Sequence, residues 1–168
     1  MSTKKTIAGA LGLASAAVAI AMPASAVQPP PNDHFRHAKV LRTADPVNSP
    51  CYAHKYGDNE GATRQAGERG FHGDRRAQKT VWFKWTAPYT CSGPVTIDTY
   101  GSDFDTLLSV YRTKKLRHLG RHVVAENDDA GGTFQSAVSF NTSPGATYRI
   151  QVDGFGGSEG FLSVEAYQ

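Results

Sequence analysis

The fold is decided by one stretch, Thr99-Tyr-Gly-Ser-Asp-Phe-Asp-Thr-Leu-Leu-Ser-Val-Tyr111. A Gly-Ser pair opens a turn, two carboxylates follow two residues apart, and Thr106–Arg112 has the composition of a buried strand. In an extended chain Asp103 and Asp105 share one face while the ring of Phe104 takes the other. Further on, Asn127-Asp128-Asp129-Ala-Gly-Gly132 repeats the pattern of a strand that ends in acids and then glycines. Two acid-tipped strand ends of this kind are expected to meet at one rim of a β-sandwich.

Outward from that stretch the period stays close to two. Val81-Trp82-Phe83-Lys84-Trp85-Thr86 places Val81, Phe83 and Trp85 on one face, and Trp82 on the other. Val95–Thr99, His122–Glu126, Ser136–Asn141, Thr147–Asp153 and Phe161–Ala166 read as further strands. Gly-Gly, Ser-Pro-Gly and Gly-Phe-Gly-Gly turns separate them. Asp33 is placed to cap a short helix or turn carrying Phe35, Ala38 and Leu41. From Thr43 to Lys79 the chain is poor in apolar residues, and only Cys51–Tyr56 looks extended, so a long surface loop is predicted. The fold class is all-β: an antiparallel two-sheet sandwich of about eight strands, jelly-roll-like, preceded by a signal peptide.

The leader is legible in its own right. Lys4 and Lys5 precede an Ala-rich apolar run, and Ala24-Ser25-Ala26 fits cleavage after Ala26. The run falls short of the roughly 20 apolar residues of a membrane span, so the expected destination is the extracellular space, with no membrane contact after cleavage. Pro29-Pro30-Pro31 completes a stiff lead-in over residues 27–31, and residues 32–168 form one domain. Losing Lys4 and Lys5 takes the formal charge from +3 to +1. A nearly neutral mature chain gives no electrostatic reason for nucleic acid as a partner, and a monomer is expected. Cys51 and Cys91 are the 2 cysteines. In an oxidising compartment they read as one disulfide, worth about 4 kcal/mol for a loop of about 40 residues.

Taken in order, Asn32-Asp33-His-Phe35, Val81-Trp-Phe-Lys-Trp-Thr-Ala-Pro88, Gly101-Ser-Asp-Phe-Asp-Thr106, Asn127-Asp128-Asp129 and Tyr148-Arg-Ile-Gln-Val-Asp-Gly-Phe155 resemble the bacterial pre-peptidase C-terminal domain family. There is a more distant likeness to the collagen-binding modules of clostridial collagenases. The resemblance implies a non-catalytic β-sandwich appendage of secreted proteins. It also points to calcium near the N-terminal edge, and so to Asn32, Asp33, Glu68 and Asp74 as one ligand set. The long loop reads Gln65-Ala-Gly-Glu-Arg69 and lacks one acid of the family pattern there.

The residues themselves offer a second calcium set, Asp103, Asp105, Asp128 and Asp129, since calcium takes six to eight oxygen ligands. Neither set has the spacing of a self-sufficient loop, and Asp and Asn also cap turns unaided. Gly156-Gly-Ser-Glu-Gly160 matches the G-x-S-x-G pattern. A strand follows it where a helix is needed, however, and every histidine lies upstream, so it reads as a turn. His34, His37, His54, His72, His118 and His122 form no zinc motif, which leaves calcium as the one cofactor in view. Arg112, Lys114, Lys115, Arg117 and Arg121 form a basic loop that suits an anionic polymer such as wall teichoic acid or acidic polysaccharide. No aromatics interleave it, which argues against single-stranded nucleic acid. Trp82 is either covered by the 57–79 loop or open as a sugar-stacking platform, and the cover is the favoured reading. Asn141-Thr-Ser143 is a glycosylation acceptor pattern, expected bare in a bacterial chain.

The expectation is a secreted module without enzyme activity, for adhesion or targeting to an extracellular polysaccharide or protein surface. Two alternatives remain. One is a glycosidase-like hydrolase using Asp103, Asp105, Asp128 and Asp129; the other is an accessory or inhibitor module for a co-secreted protease.

Overall fold

Alternation of large apolar and polar groups is what a sheet with one dry face requires. The computed structural model describes residues 27–73 and 77–168 and shows that requirement met twice. Ten strands follow in order: β1 (Lys39–Val40), β2 (Arg42–Asp45), β3 (Ser49–Asp58), β4 (Val81–Thr86), β5 (Gly93–Asp98), β6 (Thr106–Tyr111), β7 (Val123–Asn127), β8 (Ala137–Thr142), β9 (Thr147–Gly154) and β10 (Phe161–Tyr167). They form two five-stranded sheets, β1-β4-β9-β6-β7 and β2-β3-β10-β5-β8. Neighbours are antiparallel, apart from the short parallel β1–β4 pair. The chain changes sheet at most of its connections, the jelly-roll-like winding expected of this sandwich. The leader and its cleavage site lie outside the described residues.

The two dry faces meet in one core. Val81, Phe83 and Trp85 of β4 pack with Leu108 and Val110 of β6 and with Ile150 and Val152 of β9. From the opposite sheet come Val95 and Ile97 of β5 and Leu162, Val164 and Ala166 of β10. Phe104 joins them, because the backbone bends at Asp103–Phe104 before β6 begins. That bend corrects the expectation that Asp103 and Asp105 share a strand face, since the segment is not extended where they sit. Cys51 on β3 is bonded to Cys91 in the β4–β5 connection, 5.6 Å apart at Cα.

Outside the first sheet lies a second, smaller core of Phe35, Ala38, Trp82, Tyr111 and Leu119, with Leu116 and Val123 against it. Trp82 is fully buried there, so the covered reading of this residue holds. The cover also corrects the picture of a long surface loop over 43–79. Residues up to Asp58 are a hairpin of β2 and β3, and the described residues beyond it are fastened down through polar groups that hydropathy does not register. Asn59 Nδ2 donates to the carbonyls of Lys79 (3.2 Å) and Ser158 (3.0 Å). Gln151 Nε2 donates to the carbonyl of Arg69 at 3.0 Å. The Arg69 guanidinium pairs with the largely buried Glu126 carboxylate. Asp33 does not cap the 3-10 turn Phe35–His37, which starts at His34 without a side-chain cap. Its carboxylate instead accepts from Thr63 N (2.5 Å) and Thr63 Oγ1 (2.8 Å), tying the N-terminal segment to the cover.

Candidate functional site

The β6–β7 connection begins and ends on hydrogen bonds. Arg112 N donates to the His122 carbonyl at 2.9 Å, and His122 N to the Leu119 carbonyl at 3.0 Å. Leu119 is buried in the outer core, and Leu116 packs on its margin. With both leucines turned inward, the loop's cations are left in solvent. Lys114, Lys115 and Arg117 then line a cleft of about 510 Å³, and two other segments complete it: Phe35–Arg36 and Gln65–Gly67. Gln65 Oε1 accepts from Phe35 N at 3.0 Å, so these two segments are joined directly. Gly67 has φ +94°, and a Cβ there would meet Leu116 Cδ2 at 3.4 Å. The result is a recess with Phe35 and Leu116 as apolar lining and four cationic side chains (Arg36, Lys114, Lys115 and Arg117) with no acid among its lining residues.

Three of the five predicted basic residues therefore converge. Arg112 borders a neighbouring recess with Lys114 and Gly145–Thr147, and its Nη1 donates to Ser143 Oγ at 3.2 Å. Arg121 is exposed at the end of the 3-10 turn Leu116–Arg121 and lines neither recess. His118 beside them has its pKa lowered, by desolvation first and then by Arg117 and Lys115. Arg36 and the 65–67 segment carried no local signal. They reach the cleft only because the cover folds over the outer core.

The predicted acids divide differently. One oxygen from each of Asp105, Asp128 and Asp129 falls within a 4.8 Å cluster, so two acid-tipped strand ends do meet at a rim. Asp105 Oδ1 is buried without a hydrogen-bond partner. Its carboxyl is pushed up by burial, then by Asp128 and Asp129. Asp103 is exposed and stands apart from that cluster, its Oδ1 2.2 Å from where a Cβ on Gly160 would lie.

In the first set, Glu68 Oε1 accepts from Trp82 Nε1 at 2.6 Å. Glu68 Oε2 accepts from Thr80 Oγ1 at 2.6 Å and Gln65 N at 2.9 Å. Asn32 Nδ2 donates to the Trp82 carbonyl at 3.1 Å, while its buried Oδ1 lacks a partner. The Asn32 oxygen fits a cation. The Asp33 and Glu68 oxygens, as they stand, already serve protein donors, Asp33 holding Thr63 and Glu68 bracing Trp82. Asp74 lies outside the described residues. Ser158 sits between the 3-10 turn Phe155–Gly157 and β10, with Oγ donating to the Phe155 carbonyl at 2.8 Å. A Cβ on Gly154 would lie 1.8 Å from the Ser158 carbonyl oxygen, so the glycine before this turn is sterically required.

No protein-family model matches the chain, and no curated protein matches it. Among solved structures it is similar to PliG of Aeromonas hydrophila, a periplasmic inhibitor of g-type lysozyme. The identity is 12%, over 77% of this chain and 96% of that one, with a TM-score of 0.47. It is also similar to the pre-peptidase C-terminal domain of a collagenase from Bacillus anthracis, at 12% identity over 77% of this chain and 93% of that one, with a TM-score of 0.44. No site residue is carried over from either.

Proposed function

We propose that this chain is an exported, non-catalytic binding module that holds an anionic extracellular polymer in the cleft beside the outer core. One observation carries the reading: Arg36, Lys114, Lys115 and Arg117 converge from separate segments on an apolar lining of Phe35 and Leu116. Clustered cations of one sign raise the local concentration of an anionic chain, and the apolar lining gives its uncharged parts somewhere to pack. The leader pattern of residues 1–26 and the Cys51–Cys91 bond support export. Among the described residues no helix is long and apolar enough to cross a membrane.

The test is titration of the purified protein with wall teichoic acid and with polygalacturonate at two salt concentrations. Binding at low salt should weaken sharply near 1 M, where the screening length shrinks to about 3 Å. Charge reversal in Lys114→Glu/Lys115→Glu should cost at least about tenfold, at roughly 1 kcal/mol for each lost close contact in water. Retention of full affinity by that variant would remove the cleft from the reading.

A second reading is a calcium ion at Asp105, Asp128 and Asp129. It is favoured by the unpartnered Asp105 Oδ1 inside a cluster of three carboxylates. A bound ion would supply a positive partner for carboxylates that otherwise repel one another. Calcium at about a hundred times its dissociation constant should add about 2.7 kcal/mol, raising the melting midpoint by several degrees. Asp128→Asn should abolish the increment. A midpoint indifferent to calcium and chelator would dismiss the ion.

A further inference from the structure

We propose a second binding surface on the outer face of the second sheet, built for a neutral polysaccharide chain. Along β3, Tyr52, His54 and Tyr56 alternate with the core residues Cys51 and Ala53 and so point away from the core. Their rings form a row that continues onto β10, with centroids 5.5 Å apart for Tyr52–His54, 5.2 Å for His54–Tyr56 and 5.9 Å for Tyr56–Phe161. Tyr56 is 53% exposed and Phe161 45%, whereas Trp82 and Tyr111 on the outside of the other sheet are at 0%. The chain's own cover buries one outer face; on this one Tyr56 and Phe161 stand in solvent and Tyr52 and His54 are half-buried beside them. Tyr56 and Phe161, stacked and exposed side by side, are the kind of apolar surface that marks an interaction site.

The row ends in a cleft of about 500 Å³ that shares Tyr52 with it. Asn48, Ser49, Thr90, Tyr167 and Gln168 complete the chemistry of its walls, which carry hydroxyls and amides and no charged side chain. Hydroxyl and amide groups both donate and accept, as the hydroxyls of a sugar demand, and tyrosine rings offer apolar surface to its C–H faces. The charges bordering the row are of mixed sign. Arg42 and Glu165 lie across from His54 on the two neighbouring strands, and Asp98 pairs in register with Glu165. Tyr52 Oη donates to Glu165 Oε1 at 3.3 Å. With Arg42 set against the carboxylates of Glu165 and Asp98, these bordering residues present no net positive charge to a polyanion, in contrast to the basic cleft. A line of rings running along a strand and onto its neighbour suits an extended chain better than a compact ligand.

The experiment titrates the full protein with cellohexaose, chitohexaose and laminarihexaose, following side-chain and amide resonances, with gelatin as a polypeptide probe. At least one oligosaccharide should bind, shift the β3 and β10 resonances, and keep its affinity at about 1 M salt, where charge-driven binding is screened. Tyr56→Ala/Phe161→Ser should weaken it about tenfold through lost ring contact, with little change in melting midpoint because both rings are exposed. Tyr56→Ser alone should show a smaller loss in the same direction. Lys114→Glu/Lys115→Glu should leave this affinity intact, which separates it from the basic cleft. The proposal is overturned if none of the three sugars binds, if binding survives the double variant, or if only gelatin engages these rings.

Discussion

At Glu68 two opposing effects meet on one side chain. Burial pushes its carboxyl above the ordinary 4.5, while hydrogen bonds from Thr80, Trp82 and Gln65 pull the other way and burial prevails. A carboxylate raised on folding binds more protons in the native than in the unfolded state at pH values between its two pKa values. Its contribution to stability is therefore fully present below about 4.5 and is lost as pH rises through the raised value. The stability of the native chain relative to Glu68→Gln should accordingly decline from pH 4.5 upward and level off once the pH has passed the raised value, measured by urea unfolding. A difference that stays flat over that range would show that Glu68 is not buried against Trp82. Removing the acceptors altogether in Glu68→Leu leaves Trp82 Nε1 and Gln65 N without partners. The expected cost is about 1–3 kcal/mol for each orphaned donor.

Among elements, legibility followed burial. β4, β6 and β9 carry large apolar residues at strand spacing and were readable from that alone, with ends within a residue or so. β1 and β2 lie at the sheet edges, with no buried residue within either, so no pattern announced them. The cover carries no hydropathy pattern for a related reason: its anchors are Asn59, Glu68 and the small Ala62 and Ala77, and polar burial is invisible to a hydropathy reading. The basic loop is legible because its charges adjoin in sequence, but its cleft is not. Phe35, Arg36 and Gln65 arrive from other segments, and only the folded cover brings them there. The loop's own anchor is Leu119, which is 1% exposed in the outer core. Leu119→Ala should cost about 2–3 kcal/mol, toward the low end for a core truncation because the site is peripheral. It should also weaken polyanion binding, since Lys114 and Lys115 lose the plug that fixes their loop. Unfolding and titration of the same variant check both halves, and a destabilised protein with full polyanion affinity would detach the loop's anchor from its function.

For the molecule as a whole, the two sheets are finished differently. The first is buried on both faces, by the common core inside and by its own cover outside; the second is sealed inside and leaves Tyr56 and Phe161 exposed outside. The disulfide belongs to the second sheet's side, joining Cys51 on β3 to the β4–β5 connection across 40 residues. Its chief effect is on the unfolded chain, whose loop-closure entropy it removes, worth about 4 kcal/mol at this separation. Cys51→Ser/Cys91→Ser should therefore lower the melting midpoint by roughly 10 °C for a chain of this size. The consequences for binding should be unequal. The basic cleft is built on the first sheet's cover and contains no residue near either cysteine, so polyanion affinity below the new midpoint should be unchanged. The polar cleft at the end of the ring row is lined by Cys51 itself and by Thr90, next to Cys91, so oligosaccharide affinity should fall in the same variant. Titrating both probes against one preparation, well below its midpoint, compares the two faces directly. Loss of both affinities together would mean that the faces are coupled through the common core, and the description of two independent surfaces would have to be abandoned.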